Sequence, residues 1–292
     1  MEAGRESRTA VLTCQARAAA DGLLVADRFS DPVAIELLAG DERAVVRQVR
    51  DQAPPRRWSE RMGYEVVRVT TGILVARTVA IDDAIRDHTA PQLVILGGGL
   101  DARAWRMPQL STVDVFEVDH PASQQDKRDR IGDRAPLAKS VRFVPVDFAR
   151  GRLDAALESA GHRADQATVW VWEAVVQYLR NAEVVSTVQA LAGRSAPGSR
   201  LIVNYASPTL TMAISYRAES LVAAVVRRRS LLEHEPRRST WTPAAMAELL
   251  STNGFTVVRD EALLTIAGGL SIPVAHRGSM RSSRVAIADR TA

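Results

Sequence analysis

The chain has 292 residues, 46% of them hydrophobic, with 38 Lys and Arg against 34 Asp and Glu for a net charge of +4. That is enough apolar content for one large domain with an appended cap, and the scattered, mixed charge excludes the dense basic stripe that nucleic-acid binding needs. The single Cys14 excludes an internal disulfide, and no apolar run approaches a signal peptide or a membrane span, so a cytoplasmic protein away from membranes is expected.

In chain order, residues 1–90 carry helical signals and no strand signal. Thr9 to Ala20 is rich in helix formers, and Asp31-Pro32 offers an N-cap and a proline at the first helical position, leading into Val33 to Leu38. Pro54-Pro55 interrupts the region, and a long helical pattern runs from Trp58 to His88. This block is too small for a separate domain and reads as a helical cap laid over the carboxyl edge of a sheet. Residues 91–292 then form the binding domain.

From Gln92 the pattern changes. Gln92 to Leu96 is a short apolar run that stops at Gly97-Gly98-Gly99, a buried strand feeding a tight turn where a ligand lies against bare backbone. About twenty residues on, Val115-Phe-Glu-Val-Asp119 ends a second apolar run in acids, at a distance suited to the hydroxyls of a ribose. Gly97, Gly99 and Ala102 also satisfy the dinucleotide pattern, so a nicotinamide or flavin cofactor stands beside S-adenosylmethionine at this point. Against the dinucleotide is the stretch Asp101 to Met107, barely two turns before Pro108, whereas a pyrophosphate wants a well-formed helix N-terminus beneath it.

Further strands are expected near 113–118, 141–146, 168–173 and 199–205, separated by helices near 121–131, 152–160 and 182–193, the last capped by Asn181 and stopped by Gly193. Strands near 255–259 and 283–288 close the chain, and joined by a loop they form an antiparallel edge hairpin. The fold class is α/β, a doubly wound Rossmann-like sheet. Ligands of such sheets sit outside the carboxyl ends of the strands. There the sequence places Gly97, then Glu117 and Asp119, then Asp147-Phe148, then Glu173. Asp147 suits an adenine amino group with Phe148 on the ring, and Glu173 suits the ammonium of a methionine moiety; either acid alone is as readily a cap or a surface group.

Together, Leu96-Gly-Gly-Gly-Leu-Asp-Ala-Arg-Ala-Trp-Arg-Met107, Phe116-Glu-Val-Asp-His-Pro121 with Lys127, Phe143-Val-Pro-Val-Asp-Phe148 and Trp170-Val-Trp-Glu-Ala-Val-Val-Gln-Tyr-Leu179 resemble the leucine carboxyl methyltransferase family. The likeness is to its bacterial small-molecule branch, which includes carboxyl O-methyltransferases of polyketide pathways such as tetracenomycin's. It implies a class I methyltransferase sheet, S-adenosylmethionine as cofactor, Gly97 and Gly99 against it, Asp119 on the ribose, Asp147 with Phe148 at the adenine, and Glu173 near the methionine end. Ala76-Arg-Thr-Val-Ala-Ile-Asp82 is similar to the family's cap-helix motif, which implies that Arg77 pairs with the methionine carboxylate; taken alone, Arg77 reads as part of a solvated helix face. Two departures stand out. Ala102 replaces the usual threonine, and Ala174, Val175 and Val176 replace a glycine and a small polar residue.

The implied chemistry is methyl transfer to an oxygen of a small-molecule acceptor. A carboxylate needs alignment and desolvation and no base, whereas a phenol calls for one, with His120 and His234 as candidates. No metal-ligand spacing is present. Acceptor contacts are expected from Tyr178 and from a lid insertion at about 206–240 whose flank and body hold Tyr205, Tyr216 and Arg217. Lid packing and a solvated basic face explain those residues equally well. A homologue that binds the cofactor without methylating, such as a cyclase or auxiliary protein, remains the reading from another class.

Overall fold

The computed structural model describes residues 8–88, 90–148, 152–208, 238–273 and 277–291. Seven strands, β1 (Gln92–Leu96), β2 (Asp114–Asp119), β3 (Ser140–Pro145), β4 (Thr168–Trp172), β5 (Arg200–Ala206), β6 (Phe255–Ala262) and β7 (Ser283–Arg290), form one sheet in the order β3-β2-β1-β4-β5-β7-β6. The first five are parallel, and β7 runs antiparallel between β5 and β6. Alternate residues of the central strands enter opposite cores. Leu93, Ile95, Val169 and Val171 face one, and Val94, Leu96, Trp170 and Trp172 face the other. Burial on both faces explains why β1 and β4 read as unbroken apolar runs.

Among the described residues the α-helices are α1 (Arg8–Ala20), α2 (Gly40–Arg50), α3 (Trp58–Arg86), α4 (Arg103–Arg106), α5 (Pro121–Ile131), α6 (Leu153–Ser159), α7 (Asn181–Gly193), α8 (Pro243–Thr252), α9 (Leu263–Gly269) and α10 (Arg277–Ser282). No helix among the described residues is long and apolar enough to cross a membrane. The seven strands fall where the sequence places them, and α4 has only four residues before the turn at Pro108.

Four local readings are revised. First, the N-terminal block is not simply a cap. Arg77 of α3 meets Glu173 beyond the end of β4, while farther along the helix the Ala84 carbonyl accepts from Arg200 at 3.3 Å and His88 Nε2 lies 2.7 Å from the Gly198 carbonyl at the start of β5. The second half of α3 therefore runs back along one face of the sheet, because Val79, Ile81, Ala84 and Ile85 are buried there. Second, Asp31 does accept from Ala34 N–H at 3.0 Å, yet 31–38 makes turns and no regular helix. The Asp31 carboxylate is also claimed by Arg17 at 2.7 Å and Arg106 at 3.3 Å. Third, Asn181 is the first residue of α7 and not its cap; Arg180 precedes the helix, and its N–H donates to Glu183 at 2.7 Å. Fourth, β6 and β7 are joined through α9 and α10. Sequence reasoning also passed over α8, although Thr242-Pro243 is an N-cap followed by proline, and Thr242 does accept from Ala245 N–H.

Candidate functional site

Strand register brings the candidate residues to one level. Leu96 pairs with Val118 on one side and with Trp172 on the other, so the next residues out are Gly97, Asp119 and Glu173. Asp119 pairs in turn with Pro145, two residues short of Asp147.

The glycine turn is closed largely by protein. Gly97 N–H donates to the Val118 carbonyl at 2.7 Å, and its φ of +72° is one that glycine adopts without strain. A Cβ at Gly97 would lie 2.3 Å from Val175 Cγ2, so at this position Val175 fills the close-approach space that the sequence reading gives to a ligand. Gly99, at φ +42°, leaves room for Ala10 of α1, 3.0 Å from where a Cβ would stand. Gly99 N–H donates to Asp119 Oδ2 and His120 N–H to Asp119 Oδ1, both at 2.6 Å. Burial raises the Asp119 pKa, and these two donors oppose the rise. His120 caps α5: its Nδ1 accepts from Ala122 N–H at 3.3 Å, which occupies the lone pair a base would use at that nitrogen.

Beside the turn lies a cluster of buried charges. Arg77 Nε donates to Glu173 Oε1 at 2.7 Å, and Arg103 Nη1 to Glu173 Oε2 at 2.9 Å. Arg103 also binds Asp82 at 2.7 Å through Nε and Asp101 through Nη1. Arg106 joins Asp82 at 2.7 Å to Asp31, and Arg17 joins Asp31 to the Leu100 carbonyl at 2.5 Å. Arg103 is 2% exposed. Burial works against the Glu173 charge, but Arg77 and then Arg103 outweigh it and hold the carboxyl below its ordinary range. Burial likewise opposes the Asp101 charge, and Arg103, Lys127 and Arg17 together lower its pKa to about 2. Two guanidinium donors of the cluster lack a hydrogen bond: Arg106 Nε, which still faces the Asp31 carboxylate at 3.3 Å, and Arg77 Nη2, which is buried with no partner.

Beneath Gly98, Glu117 and Lys127 form a buried ion pair, with Lys127 Nζ 4.9 Å from the centre of the Trp105 ring. Burial pushes the Glu117 carboxyl up to about 7 against the pull of Lys127. Of this machinery the sequence alone points to Arg77, Glu117, Asp119 and Glu173, with Lys127 in the family motif. Sequence reasoning missed Asp82, Asp101, Arg103 and Arg106, although Asp101, Arg103 and Arg106 all lie within the glycine motif itself and Asp82 ends the cap-helix motif.

The remaining candidates divide. Asp147 is exposed just beyond β3, and Phe148 is half-buried against the second core, lining a cavity of about 550 Å³ with α6 and α7. Tyr178 ends a 3-10 turn, Val176–Tyr178, on the loop that carries Glu173. Ala174 between them has φ +58°, a left-handed conformation that favours glycine. Tyr205 is corrected: it is 1% exposed in the second core, and its hydroxyl is 2.5 Å from Asp260 Oδ2, so it does not line an acceptor pocket. Burial and Asp260 together raise its pKa. Tyr216, Arg217 and His234, with most of the expected lid, lie outside the described residues.

The strand order and the glycine and acid strand ends define the class I methyltransferase fold. A crystal structure of a provisional methyltransferase from Thermobifida fusca matches with TM-score 0.56 over 100% of this chain and 97% of that one, at 12% identity. A DUF574-family protein from Streptomyces avermitilis matches with TM-score 0.55 over 94% and 96%, at 13% identity. The leucine carboxyl methyltransferase model matches residues 10–192, and the chain belongs to that family. Among relatives, YktD of Bacillus subtilis is 33% identical over 172 residues, 58% of this chain and 55% of its own length. A protein of Mycobacteroides abscessus is 32% identical over 193 residues, 64% and 62% of the two chains. Both carry provisional names as S-adenosyl-L-methionine-dependent methyltransferases. The chain spans roughly half to three-fifths of the length of the first curated relatives it matches.

Proposed function

We propose that the chain is an S-adenosylmethionine-dependent O-methyltransferase whose acceptor is a carboxylate on a small, polyketide-like molecule. The observation that carries the reading is the half-filled edge of the Arg77 guanidinium. Its Nε is bonded to Glu173 while its Nη2 is buried without a partner, and an unsatisfied buried donor costs about 1–3 kcal/mol. An amino-acid carboxylate at Nη2, with its ammonium against Glu173, would satisfy both charges. These residues fit the methionine end of the cofactor, and Asp119 at the same level fits the ribose, since each of its oxygens keeps a lone pair beyond the backbone bond it accepts. Asp147 and Phe148 are assigned to the adenine; Gly97 and Gly99 are assigned to the cofactor through the backbone of their turn, since Val175 and Ala10 take up the space where their side chains would be.

When bound, S-adenosylmethionine supplies an electrophilic methyl group on a sulfonium. The work left to the chain is binding, orientation and exclusion of water. A carboxylate acceptor, with a pKa of about 4, is already ionised at neutral pH, so no base is called for. Val175, half-buried on the loop after Glu173, makes that side of the site apolar, and Tyr178 on the same loop is the residue assigned to touch the acceptor. Family membership and the names of the relatives support the methyl donor; the four-residue α4 argues against a pyrophosphate cofactor.

The test is calorimetric titration of S-adenosylmethionine, S-adenosylhomocysteine and NAD into wild type and Asp119→Ala. Saturable binding of the first two, weakened about tenfold or more in the variant, is expected from loss of charge-assisted hydrogen bonds. Binding of NAD alone, or binding indifferent to Asp119, would overturn the reading. A panel of carboxylated and phenolic aromatic polyketides, scored for methyl ester against methyl ether, then decides the acceptor.

A further inference from the structure

Arg103 is the most heavily engaged side chain of the buried cluster, and its contacts explain the vacancy on Arg77. The Nε and Nη2 of a guanidinium form one edge of a fork, and a carboxylate that meets Nε ordinarily takes Nη2 with its second oxygen. Glu173 does not. Its Oε1 sits on Arg77 Nε at 2.7 Å, but its Oε2 is turned to Arg103 Nη1 at 2.9 Å. Arg103 in turn is fixed by Asp82, on the same helix as Arg77, and by Asp101 in the glycine turn.

We infer that Arg103 is a positioning residue that keeps the methionine seat open, by holding Glu173 off the Nη2 half of Arg77. The inference rests on the reading of the site given above. Without Arg103, the free oxygen of Glu173 swings to Arg77 Nη2, the two side chains close a bidentate fork, and the donor reserved for the ligand carboxylate is consumed by the protein. The cofactor's nucleoside end, held at Asp119, is untouched. Arg103 would then act on one end of the ligand and not on the other, which a residue serving only stability would not do.

The experiment compares two ligands by calorimetry. S-adenosylhomocysteine has the amino-acid end; 5′-methylthioadenosine keeps the nucleoside and sulfur but lacks it. In Arg103→Gln, affinity for the first is expected to fall about tenfold or more while affinity for the second stays within about twofold. Arg103→Lys, which restores the charge but not the fork, should recover part of the loss. A crystal structure of Arg103→Gln should show both Glu173 oxygens on Arg77. Parallel weakening of both ligands, unchanged S-adenosylhomocysteine affinity, or failure of both variants to fold would overturn the inference by making Arg103 a folding residue. Wild type that binds neither ligand would sink the reading of the site itself, and this inference with it.

Discussion

At the ends of β1 and β4 the site is made of side chains paired with side chains, Arg17, Arg77, Arg103 and Arg106 against Asp31, Asp82, Asp101 and Glu173. At the ends of β2 and β3, above the buried Glu117–Lys127 pair, Asp119 has no side-chain counter-ion in the cluster and is gripped by two N–H groups of adjoining turns, and Asp147 stands exposed. The first half draws on α1, α3, α4 and the loop after β4, so it exists only when the whole fold is assembled. The second half is local, set by a turn and a strand end. Removing a charge from the first should therefore disturb the fold, and removing one from the second should disturb ligand binding alone.

The largest expected effect is at Glu173. Glu173→Gln leaves Arg77 and Arg103 without their shared counter-charge, and a broken buried pair costs about 3–5 kcal/mol. Denaturant unfolding measures it, and a loss below about 1 kcal/mol would break the contrast between the halves. Asp101→Asn should cost about 2 kcal/mol at neutral pH, from a carboxyl lowered from 3.8 to about 2. Because the folded pKa is the lower one, this contribution is present above about 3.8 and lost as pH falls toward about 2. Unfolding curves of wild type and variant should therefore converge with acidification; a difference that persists at pH 2 would refute the assignment. Ala174→Gly relieves a left-handed alanine and is expected to stabilise by about 1 kcal/mol, read as a rise in melting temperature. The smallest effect belongs to Asp147→Ala, within about 0.5 kcal/mol of wild type in stability. A larger loss would mean that the nucleoside half also supports the fold.

The same contrast explains how far the sequence could be read. All seven strands are legible because burial on both faces or at an edge leaves an apolar period in the chain itself. Gly97 and Asp119 are legible because the contact between their turns is a matter of spacing along two neighbouring strands. Arg103 and Asp82 are not: their partners lie 70 and 21 residues from Arg103, and an arginine in a polar motif looks alike whether solvated or buried. Asp31 misled for a related reason, since a capping residue followed by proline signals a helix start while its carboxylate is drawn into long-range ion pairs. Tyr205 looked like a pocket residue until β6 supplied Asp260 for its hydroxyl, and no local pattern announces that pairing. The two valines after Glu173 were visible, but the contact of Val175 with Gly97 required the register of β1 and β4.

The 29-residue α3 has a mechanical meaning beyond its packing. At about 1.5 Å per residue it is a strut roughly 43 Å long, pinned at its far end by the Arg200 and His88 hydrogen bonds and carrying Arg77 partway along. A rod anchored in that way transmits displacement and does not absorb it. Any compliance that lets a ligand in must therefore reside in the short turns around it, where Ala174 already stores strain, and the cation itself serves as the fixed reference against which they move.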